Sequence, residues 1–216
     1  MTSATEKLPV VHLAVYEGFA DWEPAHAVAQ LRSGNFQADG RPRYDVRTLG
    51  ASRKPVRSMG GLTVTADLTL DDLAPADSAL LIVPGGDGWH SGDGHAAFAH
   101  TARTFLEAGV PVAAICDGTF GLAREGLLDD RYHTGADSGY LASSGYRGGD
   151  RYRDADAVRD QGLITAGPTD AVAFAREIFA ELELWSPEVL DAWFRLFQRS
   201  DPSAYTDLLR LTAVAA

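Results

Sequence analysis

Val110-Pro-Val-Ala-Ala-Ile-Cys116-Asp-Gly118-Thr-Phe-Gly-Leu-Ala123 opens as a short buried strand and closes as a helix, with the chain's single cysteine at the change. A sharp strand-to-helix turn lifts one side chain out of a sheet and aims it at a helix N-terminus. Unpaired N–H groups and the helix dipole favour negative charge there, so the reading expects a thiol pushed toward thiolate. Gly118 lets the backbone turn tightly and approach its neighbours closely. The alternative is a core thiol carried by Val112–Ile115, since free cysteine is among the most buried residue types.

The flanking sequence repeats the strand-then-helix pattern. Val10 to Tyr16 reads as a buried strand, and Pro24 with Ala25 to Arg32 as a helix stopped at Ser33-Gly34. Tyr44 to Leu49 is a second strand, and Pro55–Arg57 and Leu62–Thr65 flank Ser-Met-Gly-Gly as a small hairpin. Ala79-Leu-Leu-Ile-Val-Pro-Gly-Gly86 is a continuous apolar run ending in a turn, as a central parallel strand requires. A helix over His95 to Gly109, a strand over Leu163 to Ala166 and an amphipathic helix over Asp170 to Leu184 follow. Alternation of this kind predicts an α/β fold with a mostly parallel sheet covered on both faces. Ser186-Pro-Glu and Asp201-Pro202 each start a further helix. Their apolar residues, Trp193 and Phe197 among them, pack on the domain or meet a second copy. Other methionine and aromatic residues read as core, and the acidic cluster Asp67 to Asp77 as a solvated face.

Composition narrows the partners. The 216 residues carry 19 basic and 30 acidic side chains, a formal net charge of −11, which is unsuited to wrapping a polyanion. Nucleic acid and anionic membrane are therefore not expected, and the expected partner is a small-molecule substrate. One cysteine forms no internal disulfide, consistent with a reducing compartment. Met1 to Pro9 is polar and carries no targeting pattern, so a cytoplasmic protein is expected.

Four motifs in order resemble the ThiJ/PfpI superfamily of the class I glutamine amidotransferase-like fold. They are Gly18-Phe-Ala-Asp-Trp-Glu23, Val83-Pro-Gly-Gly86, Ala114-Ile-Cys-Asp-Gly118 and Leu163-Ile-Thr-Ala-Gly-Pro168, with Gly126-Leu-Leu-Asp-Asp-Arg131 as a fifth match. The resemblance implies a flavodoxin-like three-layer α/β/α sandwich over residues 8–184, with residues 185–216 as a helical extension. It also implies Cys116 as elbow nucleophile and Glu23 as its acidic neighbour, with Gly86 and Asp117 N–H groups beside Gly85 forming an oxyanion hole. A homodimer is implied too. A thiolate and a carboxylate pressed together cannot both ionise cheaply, so the pair is expected to share a proton.

The pattern departs from the family at the histidines. Many relatives carry histidine directly after the cysteine, where this chain has Asp117; others carry one near the position of Ala136. His133 is the candidate base from that segment, with a structural histidine as the alternative. This departure puts peptide cleavage in doubt and favours aldehyde or isonitrile substrates. His26, one helical turn after Glu23, reads as a surface residue. His90, Asp93, His95 and His100 lack the spacing of aligned metal ligands, so no metal is expected, and no organic cofactor is implied. The rival function is a redox sensor, in which Cys116 is reversibly oxidised beside Glu23.

Overall fold

In a computed structural model that describes residues 7–91 and 93–213, seven strands form one sheet in the order β5-β2-β1-β6-β7-β9-β8. The centre is β1 (Val10–Ala14), β6 (Leu80–Val83), β7 (Val112–Ile115) and β9 (Leu163–Ala166), nearly every residue of which is buried. Continuous apolar runs of this kind are what a sheet covered on both faces demands. β2 (Asp45–Gly50) and β5 (Leu68–Thr69) extend it in parallel on one side. On the other, β8 (Ala157–Asp160) closes the edge antiparallel to β9.

Helices α1 (Ala25–Ser33) and α5 (Ala171–Glu181) pack together against the sheet, and α2 (Ala96–Glu107) packs with α3 (Asp117–Arg124). The architecture is thus the expected flavodoxin-like sandwich. β1 lies between β2 and β6, so the chain leaves β1 in one direction and returns through β6 in the other. Open α/β sheets bind ligands at the C-terminal ends of strands beside such a reversal.

The hairpin forms from β3 (Val56–Arg57) and β4 (Thr63–Val64). Ser58 Oγ donates to Asp21 Oδ2, and Gly60 N–H donates to the same oxygen over 3.0 Å, clipping the hairpin to the loop after β1. A short helix, α4 (Ser138–Ala142), lies between the elbow helix and β8 and is capped by Asp137, which accepts from Tyr140 N–H over 3.0 Å.

The extension is built from α6 (Pro187–Arg199) and α7 (Ser203–Thr212), and it packs on its own domain. Trp193 is fully buried, edge-on to Phe179 of α5 with ring centroids 5.0 Å apart. Residues 1–6, part of the segment read for targeting, and 214–216, the end of the extension, lie outside the described residues.

Two expectations need correction. Met59 and Trp22 are 45 % and 50 % exposed rather than core, because the clipped hairpin and loop turn them outward. His26 is half-buried, since the extension brings Trp193 and Phe197 edge-on to its ring. The acidic cluster lies on an exposed face, as expected; there Asp67 accepts from the Thr48 N–H and hydroxyl at 2.8 Å, and Asp72 caps the turn opened by Thr69.

Candidate active site

Three strand ends build the site: Glu23 follows β1, Gly85 and Gly86 follow β6, and Cys116 follows β7. Cys116 N–H still pairs with Ala166 O at 3.1 Å, and α3 begins at the next residue. To make that turn, Cys116 adopts φ 57° and ψ −127°, backbone strain that a non-glycine residue carries only where its surroundings enforce it. The enforcement is visible. A Cβ on Gly118 would meet Val83 O at 2.5 Å and Pro84 O at 2.7 Å, so only glycine lets α3 start this close to β6. Thr119 Oγ1 donates to Cys116 O over 2.6 Å and ties the first turn down.

Glu23 is fully buried beside the half-buried thiol. Gly85 N–H donates to Glu23 Oε2 over 2.5 Å, while Glu23 Oε1 is buried without a well-directed hydrogen-bond partner. A Cβ on Gly85 would lie 3.0 Å from both Cys116 Sγ and Glu23 Oε2, so the glycine leaves open the space that thiol and carboxyl border together. Below them, the Tyr16 hydroxyl donates to Pro84 O and accepts from Trp89 Nε1 at 3.0 Å, fixing the turn that carries Gly85.

The electrostatics correct the expected thiolate. Burial pushes the Cys116 thiol well up, and the carboxylates of Glu23 and Asp117 push it further. Asp117 N–H, hydrogen-bonded to the sulfur, acts the other way and is outweighed. Burial likewise raises Glu23 to about 7, against the lowering effects of Gly85 N–H and the thiol. The elbow therefore presents a protonated thiol beside a carboxyl that changes charge near neutrality.

The expected oxyanion donors divide. Gly85 N–H is taken by Glu23, so Gly85 holds the carboxyl. Gly86 forms a bridge with Phe19 whose two hydrogen bonds use Ala20 N–H and Asp87 N–H, leaving Gly86 N–H outside that pairing. Asp117 N–H lies at the start of α3, next to the thiol that it lowers.

His133 is in different company. It is fully buried, Nδ1 lies 2.8 Å from Arg131 O, Nε2 lies 3.0 Å from the Tyr146 hydroxyl, and its ring packs against Tyr146 and Tyr152. Both ring nitrogens are thereby occupied, and neither partner is Cys116. The histidine beside the elbow is His90: its Nε2 lies 3.4 Å from Asp117 Oδ1 and hydrogen-bonds the Tyr140 hydroxyl, which donates to Asp117 Oδ1. His95 contacts Asp87 O at 2.7 Å and His100 pairs with Glu125 at 3.1 Å. Among the described residues, no three His, Cys, Asp or Glu side chains are grouped to hold a metal ion.

A nucleophile elbow at the C-terminal edge of a parallel sheet, with a buried acid beside it, defines a class of α/β proteins. This chain belongs to the DJ-1/PfpI family, whose pattern matches residues 10–181. It is 32% identical over 201 residues to a Bacillus subtilis protein named "Uncharacterized protease YoaZ", covering 92% of this chain and 95% of that one. A thiJ/pfpI family protein from Bacillus anthracis superposes with a TM-score of 0.87 at 30% identity, over 95% of this chain and 99% of its own. The DJ-1 superfamily protein Atu0886 from Agrobacterium tumefaciens gives 0.79 at 34% identity, over 89% and 99%. Among the described residues, no helix is long and apolar enough to cross a membrane.

Proposed function

We propose that the chain is a cysteine-dependent enzyme acting on a small electrophile, an aldehyde, isonitrile-type carbon or small acyl compound. One observation carries this reading: a strained Cys116 whose thiol borders the same small space as a buried Glu23 that titrates near neutrality. As carboxylate, Glu23 accepts the thiol proton while sulfur bonds to the electrophilic carbon. For a carbonyl, the π pair moves to oxygen, where Gly86 N–H and Asp117 N–H offset the new charge. Glu23 then returns its proton to the adduct. His133 has no part in these steps, because its ring nitrogens are engaged elsewhere.

A second reading draws support from Glu23 Oε1, a buried oxygen without a well-directed partner beside sulfur. With peroxide as oxidant, sulfur takes one oxygen, water leaves, and Glu23 hydrogen-bonds the oxidised sulfur. A cytoplasmic homodimer belongs to the same proposal. It rests on family membership and the lone thiol; light scattering and cell fractionation test it.

The purified protein and Cys116→Ala are assayed against methylglyoxal, isonitriles and small amides. Turnover lost in the variant is the expected result. Turnover that survives in Cys116→Ala overturns the mechanism, and no turnover with selective peroxide oxidation of Cys116 selects the sensor.

A further inference from the structure

We infer that His90, Tyr140 and Asp117 form a proton relay from solvent to the nucleophile, giving the site a second acid that protonates a leaving group. The inference deepens the proposed enzyme reading and rests on it for its kinetic arm.

Counting protons fixes the relay's direction. The Tyr140 hydroxyl is hydrogen-bonded to both Asp117 Oδ1 and His90 Nε2, yet it has one proton to give. An ionised Asp117 only accepts, so that proton lies toward Asp117 and His90 Nε2 must be the donor to Tyr140 oxygen. In the neutral ring Nδ1 is then the acceptor, on an imidazole whose side chain is 47% exposed. Solvent protonates Nδ1, Nε2–H passes to Tyr140 oxygen, and the Tyr140 proton passes to Asp117. The net change converts imidazolium plus carboxylate into imidazole plus carboxylic acid, with no other atom altered.

Asp117 is the residue immediately after the nucleophile, and its N–H lies at the start of α3 where it lowers the thiol. An acid there can give its proton to the nitrogen or oxygen that departs as an acyl-sulfur bond forms. The arm is held in place by packing. The His90 and Tyr140 rings both contact Phe120 of α3, with centroids 4.4 and 5.2 Å away. Glu23 and this arm thus divide the work: one takes the thiol proton, the other supplies the leaving group. The relay therefore extends the substrate class to small amides, whose nitrogen cannot leave unprotonated.

The test compares two probes, acetamide and 4-nitrophenyl acetate, whose leaving group departs without a proton. Tyr140→Phe is expected to slow acetamide turnover through kcat by at least ten times more than it slows the ester. His90→Ala is expected to lose acetamide turnover in the same way and regain it with added imidazole. Equal losses on both probes, or no rescue, would mean a merely structural role and overturn the relay. If wild-type protein turns over neither probe, the extension to amides fails, the aldehyde and isonitrile reading is decided by its own assays, and nitrogen-15 NMR of His90 decides the proton arrangement. An Nε2–H tautomer lost in Tyr140→Phe supports it, and an Nδ1–H tautomer overturns it.

Discussion

Gly85 N–H and Glu23 Oε2 meet at 2.5 Å, and this bond determines what the neighbouring thiol faces. It anchors one carboxyl oxygen to the turn after β6 and leaves the other without a well-directed partner. Replacing Gly85 by alanine would place a methyl 2.8 Å from Cys116 Cβ and 3.0 Å from both Sγ and Glu23 Oε2. The expected outcome is a folded protein whose turnover falls at least tenfold. Circular dichroism and steady-state kinetics check it; unchanged kinetics would mean the carboxyl has no role.

Glu23 also sets a pH dependence of stability. Its ordinary value is 4.5 and its folded value about 7, so between these the folded state holds a proton that the unfolded chain has released. Stability therefore falls as pH rises from about 4.5 to 7 and is level above, a loss on the order of 3 kcal/mol. Glu23→Gln carries no such charge. Urea melts should find it more stable than wild type at pH 8, with the gap closing toward pH 4.

The same substitution separates thiol acidity from proton transfer. The Glu23 carboxylate raises the Cys116 thiol, so removing its charge lowers the thiol back. Iodoacetamide is expected to alkylate Cys116 faster in Glu23→Gln at pH 8, although turnover drops by about 10²–10⁴ with the base gone. Slower alkylation would mean that the carboxylate aids ionisation instead.

Trp193 anchors the extension. Truncating a buried tryptophan costs about 3–5 kcal/mol, so Trp193→Ala is expected to lower the melting temperature by several degrees. Its ring also packs on His26, in the first turn of α1 just after Glu23. Loss of α6 packing should therefore reduce activity as well as stability, and calorimetry with kinetics reads both.

Much of the fold was legible because its central strands are unbroken apolar runs and its elbow carries a glycine where backbone must pass backbone. β8 was not: Ala157-Val-Arg-Asp has a weak pattern and forms by pairing antiparallel to β9 at the sheet edge. The five-residue α4 is too short to leave a helical period. At the site, Cys116, Glu23, Gly85 and Gly86 lie at strand ends and could be found from order along the chain. His90 could not, since its neighbours were the acidic and histidine residues of its own loop, and tertiary packing on Phe120 gives it Asp117 and Tyr140 instead. His133 misled for the converse reason, being near in sequence to the expected position but saturated by Arg131 and Tyr146. The thiol's ionisation is not legible in sequence, because the helix terminus is written there and the burial beside Glu23 and Asp117 is not.

Cys116 occupies a left-handed backbone region that disfavours any side chain, by about 1–3 kcal/mol. Glycine there would relieve the torsion, so a Cys116→Gly protein should outlast its parent on heating while doing no chemistry. Heat resistance and sulfur presentation are thus opposed at one position: the bend that holds the thiol out is the bend where a side chain is hardest to accommodate.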